Sequence, residues 1–290
     1  MTALSRFLKI TYLFFSYRLN EIFPKEALPK WLFFLFLLNP FKFSKKNRSS
    51  GERLAEALEK AGPVFIKFGQ ILSTRPDLLD EEIVSALKKF QNNLEPFETK
   101  VAKEIIELDL GKPINEIFVE FSDKPLAAAS IAQVHEAKLK TGEKVVVKVV
   151  RPDLEKKIKK DLALLKAIGY FANKFKSDAK RLKLKEMIDE YELVINSEVD
   201  LKKEAGNTIQ TANFFENNEL LYVPKTYTEF SGLKTLTLEK IEGIPVTDIE
   251  TLIKKEVDLK LLAERGVSIF FKQLFAVSYT HLRAHETRSD

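Results

Sequence analysis

The chain has 290 residues, 45% of them hydrophobic, enough to core one large domain or two modest ones. It contains no cysteine, which excludes disulfides and thiolate metal sites and fits a reducing compartment. A net charge of +5 and a pI near 9.0 suit acidic lipid headgroups; no aromatic-interleaved arginine run or nucleic-acid motif accompanies them, so no nucleic-acid partner is expected.

The first fifty residues differ from the rest. Residues 7–17 and 31–43 are rich in aromatic and aliphatic side chains, and Lys42, Lys45, Lys46 and Arg48 follow or overlap the second stretch. Its continuous apolar run, Trp31 to Leu38, is eight residues, far below the roughly 20 needed to span a bilayer. No compact apolar core with a small-residue cleavage site marks a signal peptide. An aromatic patch beside lysines suits a helix lying in a membrane interface. Packing of the same helices on the rest of the chain is the alternative, and both can hold for different faces.

From Gly51 the pattern steadies. Residues 52–60, 80–90 and 101–110 read as helices, punctuated by Pro76 and Pro96. Residues 116–150 form a β-rich portion, in which strands 131–139 and 144–150 are joined by Lys140-Thr-Gly-Glu143 as a hairpin. The second strand places Lys148 among five valines, where a buried ammonium must find a phosphate or a carboxylate. A strand-edge lysine with its head in water is the alternative. Arg151-Pro152 opens a charged, then apolar helix over 153–175. Residues 187–215 have helical composition, and on one helix Asp200 and Glu204 share a face one turn apart while Glu198 points away. A solvated, adventitiously charged helix face would look similar. Two strands, 225–230 and 233–241, precede a break at Glu242-Gly-Ile-Pro245, with helices from Asp248 onward.

Four segments follow one another in the order a kinase-like nucleotide site uses: Lys67-Phe-Gly-Gln70, Ala127-Ala-Ala-Ser130, Val145-Val-Val-Lys148, and Glu198-Val-Asp200 followed by Glu204. A hairpin followed by a strand lysine is the layout of a protein-kinase N-lobe. The usual glycine-rich loop is replaced by Leu126-Ala-Ala-Ala-Ser-Ile-Ala-Gln-Val134. Alanine restricts the positive-φ conformations that glycine allows, so this segment handles nucleotide differently, with backbone amides around Ser130 and Ile131 as candidate phosphate donors.

With these segments, and with Gly62-Pro-Val-Phe-Ile-Lys-Phe-Gly-Gln-Ile-Leu-Ser-Thr-Arg-Pro76 and Leu261-Leu-Ala-Glu-Arg-Gly-Val267, the chain resembles the UbiB family of atypical kinase-like proteins. The resemblance implies an α+β fold: a protein-kinase-like N-lobe with a helical N-terminal extension and the helical start of a C-lobe. It divides the chain into a membrane-associating segment (1–50), a helical extension with the Lys-x-Gly-Gln motif (51–115), an N-lobe with a helical insertion at 153–175 (116–243), and the start of the C-lobe (244–276). By the same resemblance Lys148 pairs with phosphate and Glu204 is its ion-pair partner. Leu126, Ala127, Ala128, Ala129, Ser130, Ile131, Ala132, Gln133 and Val134 form the nucleotide loop. Lys67 and Gln70 fold across the site toward Glu198 and Asp200, as a gate, and residues 242–245 become the hinge that meets adenine. The implied ligand is ATP or ADP, with magnesium in a full-length protein, and no metal site in this stretch. The implied function is an ATP-dependent kinase or ATPase supporting ubiquinone biosynthesis. Its partners would be membrane lipids or ubiquinone precursors and other ubiquinone-biosynthesis proteins, at the cytoplasmic side of a bacterial inner membrane. A non-catalytic lipid-binding or scaffolding pseudokinase module is the alternative.

Beyond Phe275 the sequence departs from the family pattern, with no catalytic-loop aspartate or Asp-Phe-Gly-like motif, so residues 277–290 are expected to be non-native and the chain to show little catalysis by itself. His281 and His285 stand four apart without a third ligand, and His135, on the strand beside the alanine segment, reads as a packing residue.

Overall fold

The computed structural model describes residues 3–22, 48–74, 80–88, 95–175 and 184–286. The aromatic stretch 31–43 with Lys42, Lys45 and Lys46, the punctuating Pro76, the last two residues of the expected 80–90 helix and residues 287–290 lie outside the described residues. The chain divides into two compact units, one of Met1–Ile105, Lys124–Val134 and Val149–Asp200, the other of Ile106–Asp123, His135–Lys148 and Leu201–Asp290.

The first unit is mainly helical. Helix α1 (Ala3–Ser16) precedes α2 (Ser50–Ala61), which begins with a reciprocal cap: Ser49 Oγ accepts from the Glu52 amide at 3.2 Å, and Glu52 accepts from the Ser49 amide at 3.0 Å. Gly51 lets α2 approach α4 (Glu81–Lys88), because a Cβ there would stand 2.8 Å from both the Ala86 Cβ and the Glu82 carbonyl oxygen. Gly62, at φ 110°, turns the chain between α2 and α3 (Pro63–Ser73), and Pro63 occupies the first turn, where its missing amide costs nothing. Helix α3 buries Val64, Phe65, Ile66 and Gly69.

Two longer helices complete this bundle. Helix α5 (Leu154–Phe175), just after the Arg151-Pro152 opening, buries Leu154, Ile158, Leu162 and Leu165 at helical spacing; α6 (Leu184–Val199) does the same with Ile188, Tyr191 and Ile195. Within that apolar stripe on α5, Asp161 is also buried. Arg6 of α1 meets it with two parallel bonds, Nε to Oδ1 at 2.5 Å and Nη2 to Oδ2 at 2.6 Å. The same Nη2 donates to the Ala61 carbonyl at 2.6 Å, and the guanidinium lies 5.7 Å from the Phe65 ring centroid. The opposite side of α1 exposes Phe7, Leu8 and Tyr12.

Tyr191 ties α6 to α3 by donating its hydroxyl to the Val64 carbonyl at 2.5 Å. Burial, reinforced by the negative charges of Glu198 and Asp161, pushes its pKa well above the ordinary tyrosine value. Folding therefore favours the protonated phenol: the contribution is complete below about pH 10, where an unfolded tyrosine begins to ionise, and is lost as pH rises beyond it. Tyr222 and Tyr227 are raised as well and add in the same direction. Denaturant titrations across alkaline pH are expected to show stability falling above pH about 10, with a shallower fall in Tyr191→Phe. An identical slope in that variant would dismiss the linkage.

The second unit carries most of the sheet. Its strands run in the order β1 (Phe118–Phe121), β3 (Ala132–Leu139), β4 (Lys144–Val150), β5 (Thr235–Glu239). β1 is antiparallel to β3, with Phe118 opposite Leu139 and Phe121 opposite Ala137 across an irregular step. His135 is fully buried, stacked on Phe121 at 4.9 Å, with Nδ1 2.9 Å from the Ser122 carbonyl oxygen, a packing role. The expected hairpin forms, closed by the Leu139 amide donating to the Glu143 carbonyl at 2.9 Å.

Two expectations fail. The single helix over 187–215 is two, ending at Val199 and restarting as α7 (Leu201–Phe214), with Asp200 non-helical between them. The physical reason is a tertiary bond: the buried Leu201 amide donates to the Leu233 carbonyl at 3.0 Å and not to its own helix. The strand expected at 225–230 is reduced to one bridge, Thr226 opposite Leu238. After it the chain tightens into a 3-10 turn, Thr228–Phe230, whose Phe230 carbonyl accepts from Thr237 Oγ1 at 2.6 Å. Asp109, near the end of the helix Thr99–Leu110, accepts from the amides of Leu233 and Lys234 at 3.2 and 2.8 Å. Beyond the sheet, α8 (Ile249–Lys254) is capped by Asp248, and α9 runs Leu259–Glu286 through the positions of His281 and His285.

Candidate functional site

Strand β4 alternates buried Val145, Val147 and Val149 with more open Lys144, Val146 and Lys148, the period of a half-buried strand. Lys148 is thus not engulfed by its valines, as a buried lysine would be: its side chain keeps 32% exposure. Its ammonium donates to both carboxylate oxygens of Glu204, at 2.8 and 2.7 Å. Glu204 sits in the first turn of α7, where the helix dipole favours a negative charge. With the partners 32% and 39% exposed, the pair adds at most about 1 kcal/mol to stability. Its chemical value is orientation: a carboxylate holds a cation in one place, ready for a second anion.

The alanine segment folds as a tight hairpin. Strand β2 (Ala127–Ala128) pairs antiparallel with the start of β3, Ala127 opposite Val134 and Ala128 opposite Gln133. The Leu126 amide donates to the Val134 carbonyl at 2.7 Å, and the Ala129 amide donates to the Ala132 carbonyl at 2.8 Å across the turn. Ala128, Ser130, Ile131, Ala132 and Gln133 are buried, whereas Leu126 and Ala127 are exposed. The Gln133 amide is committed to the main chain of Phe97, so any contact it offers a ligand is through its backbone.

Lys67 and Gln70 are three residues apart on α3, hence on one face. Lys67 forms an ion pair with Glu198, in the last turn of α6. Asp200 follows at the helix break. The break gives Glu198 and Glu204 separate helices, and each acid takes its own lysine.

Sequence reasoning missed three positions. Asp161 was legible as an acid inside an apolar stripe, a pattern that demands a partner. Tyr191 carried no such mark. Arg151 was read only as the opening of a helix. In the structure its Nε donates to the Ala129 carbonyl and its Nη2 to the Glu95 carbonyl, each at 2.9 Å, and burial lowers its pKa.

The model of the ABC1 atypical kinase-like domain matches residues 89–287. "Probable protein kinase UbiB" of Marinobacter nauticus is 44% identical over 98% of this chain and 52% of its own length. The proteins of that name from Pseudomonas putida and Azotobacter vinelandii are each 45% identical over 98% of this chain and 54% of their own length. The chain spans about half the length of these bacterial relatives. Among solved structures, the erythromycin complex of Rv3197 from Mycobacterium tuberculosis matches with 27% identity and a TM-score of 0.44, over 69% of this chain and 53% of that one. With a domain match over most of its length and an α+β architecture to accompany it, the chain belongs to the ABC1 atypical kinase-like family.

Proposed function

We propose that this chain carries nucleotide-binding residues of an ATP-dependent, UbiB-like kinase or ATPase that supports ubiquinone biosynthesis. The observation that carries the reading is the Lys148–Glu204 pair, a strand lysine gripped by both oxygens of a helix glutamate. ATP or ADP would place phosphate against the Lys148 ammonium, and the family resemblance gives the alanine hairpin main-chain contacts to nucleotide and Lys67–Glu198 the role of a gate. Among the described residues no group of three or more His, Cys, Asp or Glu is arranged to hold a metal ion. Titrating ATP and ADP while following thermal unfolding tests the reading: a ligand that binds the folded form raises the midpoint with concentration. A midpoint indifferent to millimolar nucleotide, with or without magnesium, rejects it.

The substrates would be membrane-embedded precursors, and the site of action the inner-membrane surface. Support comes from the exposed Phe7, Leu8 and Tyr12 on α1, whose apolar area suits an interface. Among the described residues no helix is long and apolar enough to cross a membrane. The chain is expected to cosediment with anionic liposomes, added salt weakening only the electrostatic share, and removal of residues 1–48 should release it. Equal pelleting of the shortened form would assign these residues to packing alone. It would favour the non-catalytic reading only if nucleotide binding failed too.

A further inference from the structure

The alanine hairpin is held by more than its own ladder. Arg151 reaches it twice, through its amide, which donates to the Ile131 carbonyl at 2.8 Å, and through Nε, which donates to the Ala129 carbonyl at 2.9 Å. The same guanidinium donates from Nη2 to the Glu95 carbonyl at 2.9 Å and lies 5.8 Å from the Phe97 ring centroid. Gln133 repeats the link: its Oε1 accepts from the Phe97 amide at 3.0 Å, and its Nε2 donates to the Phe97 carbonyl at 3.3 Å. Two side chains, one just after β4 and one at the start of β3, thus fasten one turn, 129–132, to one segment, 95–97. Gln133 is fully buried. Among the described residues the guanidinium's partners are main-chain carbonyls and a ring, with no carboxylate.

A surface arginine gains nothing by leaving water for neutral acceptors, and desolvation here depresses its pKa. What the placement achieves is geometric. A planar fork with fixed donor directions can set the distance between two carbonyls on different segments, which a lysine cannot.

We propose that Arg151, assisted by Gln133, is a positioning residue that clamps the alanine hairpin to residues 95–97 and so fixes the conformation in which the hairpin meets nucleotide. The inference rests on the nucleotide reading for the purpose of the hairpin, not for the clamp. Alanine narrows the conformations open to the turn, and the guanidinium selects among those that remain. Arg151 acts through the main chain of the turn and needs no contact with the ligand.

The test is amide hydrogen exchange on the intact chain, read on peptides covering 126–134 and 50–73, paired with ADP affinity on the same samples. Arg151→Ala removes a charged hydrogen-bond donor and should speed exchange over 127–132 by about tenfold or more, with peptides 50–73 unchanged. Arg151→Lys should recover little of this, because one ammonium does not span both carbonyls. The apparent Kd for ADP should rise by about tenfold in both variants. Unchanged exchange over 127–132 in Arg151→Ala overturns the clamp, as does equal acceleration over 50–73, which would mark a general loss of stability. Faster exchange with unaltered ADP affinity overturns the positioning role. If no form binds ADP but the local exchange difference persists, the clamp stands and the nucleotide reading falls. Gln133→Met, which removes both links to Phe97 without burying a charge, should show the same local pattern to a smaller extent.

Discussion

Replacing Lys148 by alanine is expected to abolish nucleotide-dependent stabilisation while changing the stability of the nucleotide-free chain by no more than about 1 kcal/mol. The two effects separate because both members of the Lys148–Glu204 pair are about a third exposed, so water compensates most of what the fold loses. Nucleotide is different. At a concentration 100 times its Kd, a ligand adds about 2.7 kcal/mol to the folded state, and removing the cation proposed to meet phosphate should remove all of it. Glu204→Gln should weaken binding less, since the ammonium keeps its charge and loses only its holder. The measurement is a nucleotide titration of the thermal midpoint, on this chain and on a chimera that carries the remaining half of a curated relative. Retained affinity in Lys148→Ala would remove the kinase-like assignment of this lysine.

The larger structural penalty is expected at a position that no nucleotide touches. Asp161 has a side chain only 2% exposed, and Arg6 one only 15% exposed. Arg6→Met would leave the carboxylate buried without a countercharge and without two of its hydrogen bonds, a loss of about 3–5 kcal/mol. The carboxylate is the costly party, so Arg6→Met/Asp161→Leu, which replaces both by apolar groups of similar volume, should recover most of it. Denaturant unfolding of the two variants and the parent decides the matter. A single variant within about 1 kcal/mol of the parent would show that water reaches Asp161 when Arg6 is gone.

These contrasts mark what could be read in advance. Helix α5 and the β3–β4 hairpin follow from local pattern, because each rests on residues whose spacing carries the information, whereas the pairing of Lys148 with Glu204 is implied by the family resemblance of the motifs. The break at Asp200 does not. Val199-Asp200-Leu201 contains neither glycine nor proline, and what ends the helix is an amide drawn to Leu233, more than thirty residues away. The same applies to residues 225–230, where the side chains of Ser231 and Thr237 take bonds that a longer ladder would have used. Five valines surround Lys148 in sequence, which left a buried lysine and one with its head in water as alternatives; a strand sends alternate residues to opposite faces, and the lysine shares the more open one. The Arg151 clamp was invisible for another reason. Its acceptors are main-chain carbonyls, which every residue has.

The Arg6–Asp161 pair also has a consequence for the order of events during synthesis. Its partners stand 155 residues apart, and at about 5–20 residues per second the ribosome needs roughly 8–31 s to deliver Asp161 after Arg6. Through that interval the face of α1 that the fold later buries with Leu13 and Ser16 is as uncovered as Phe7, Leu8 and Tyr12, and its arginine has no carboxylate to close on. A nascent chain in this condition presents an aromatic, positively charged amphipathic segment to whatever surface lies near. The delay gives a lipid bilayer or a chaperone the first opportunity to hold the N-terminus, before the protein's own helices compete for it.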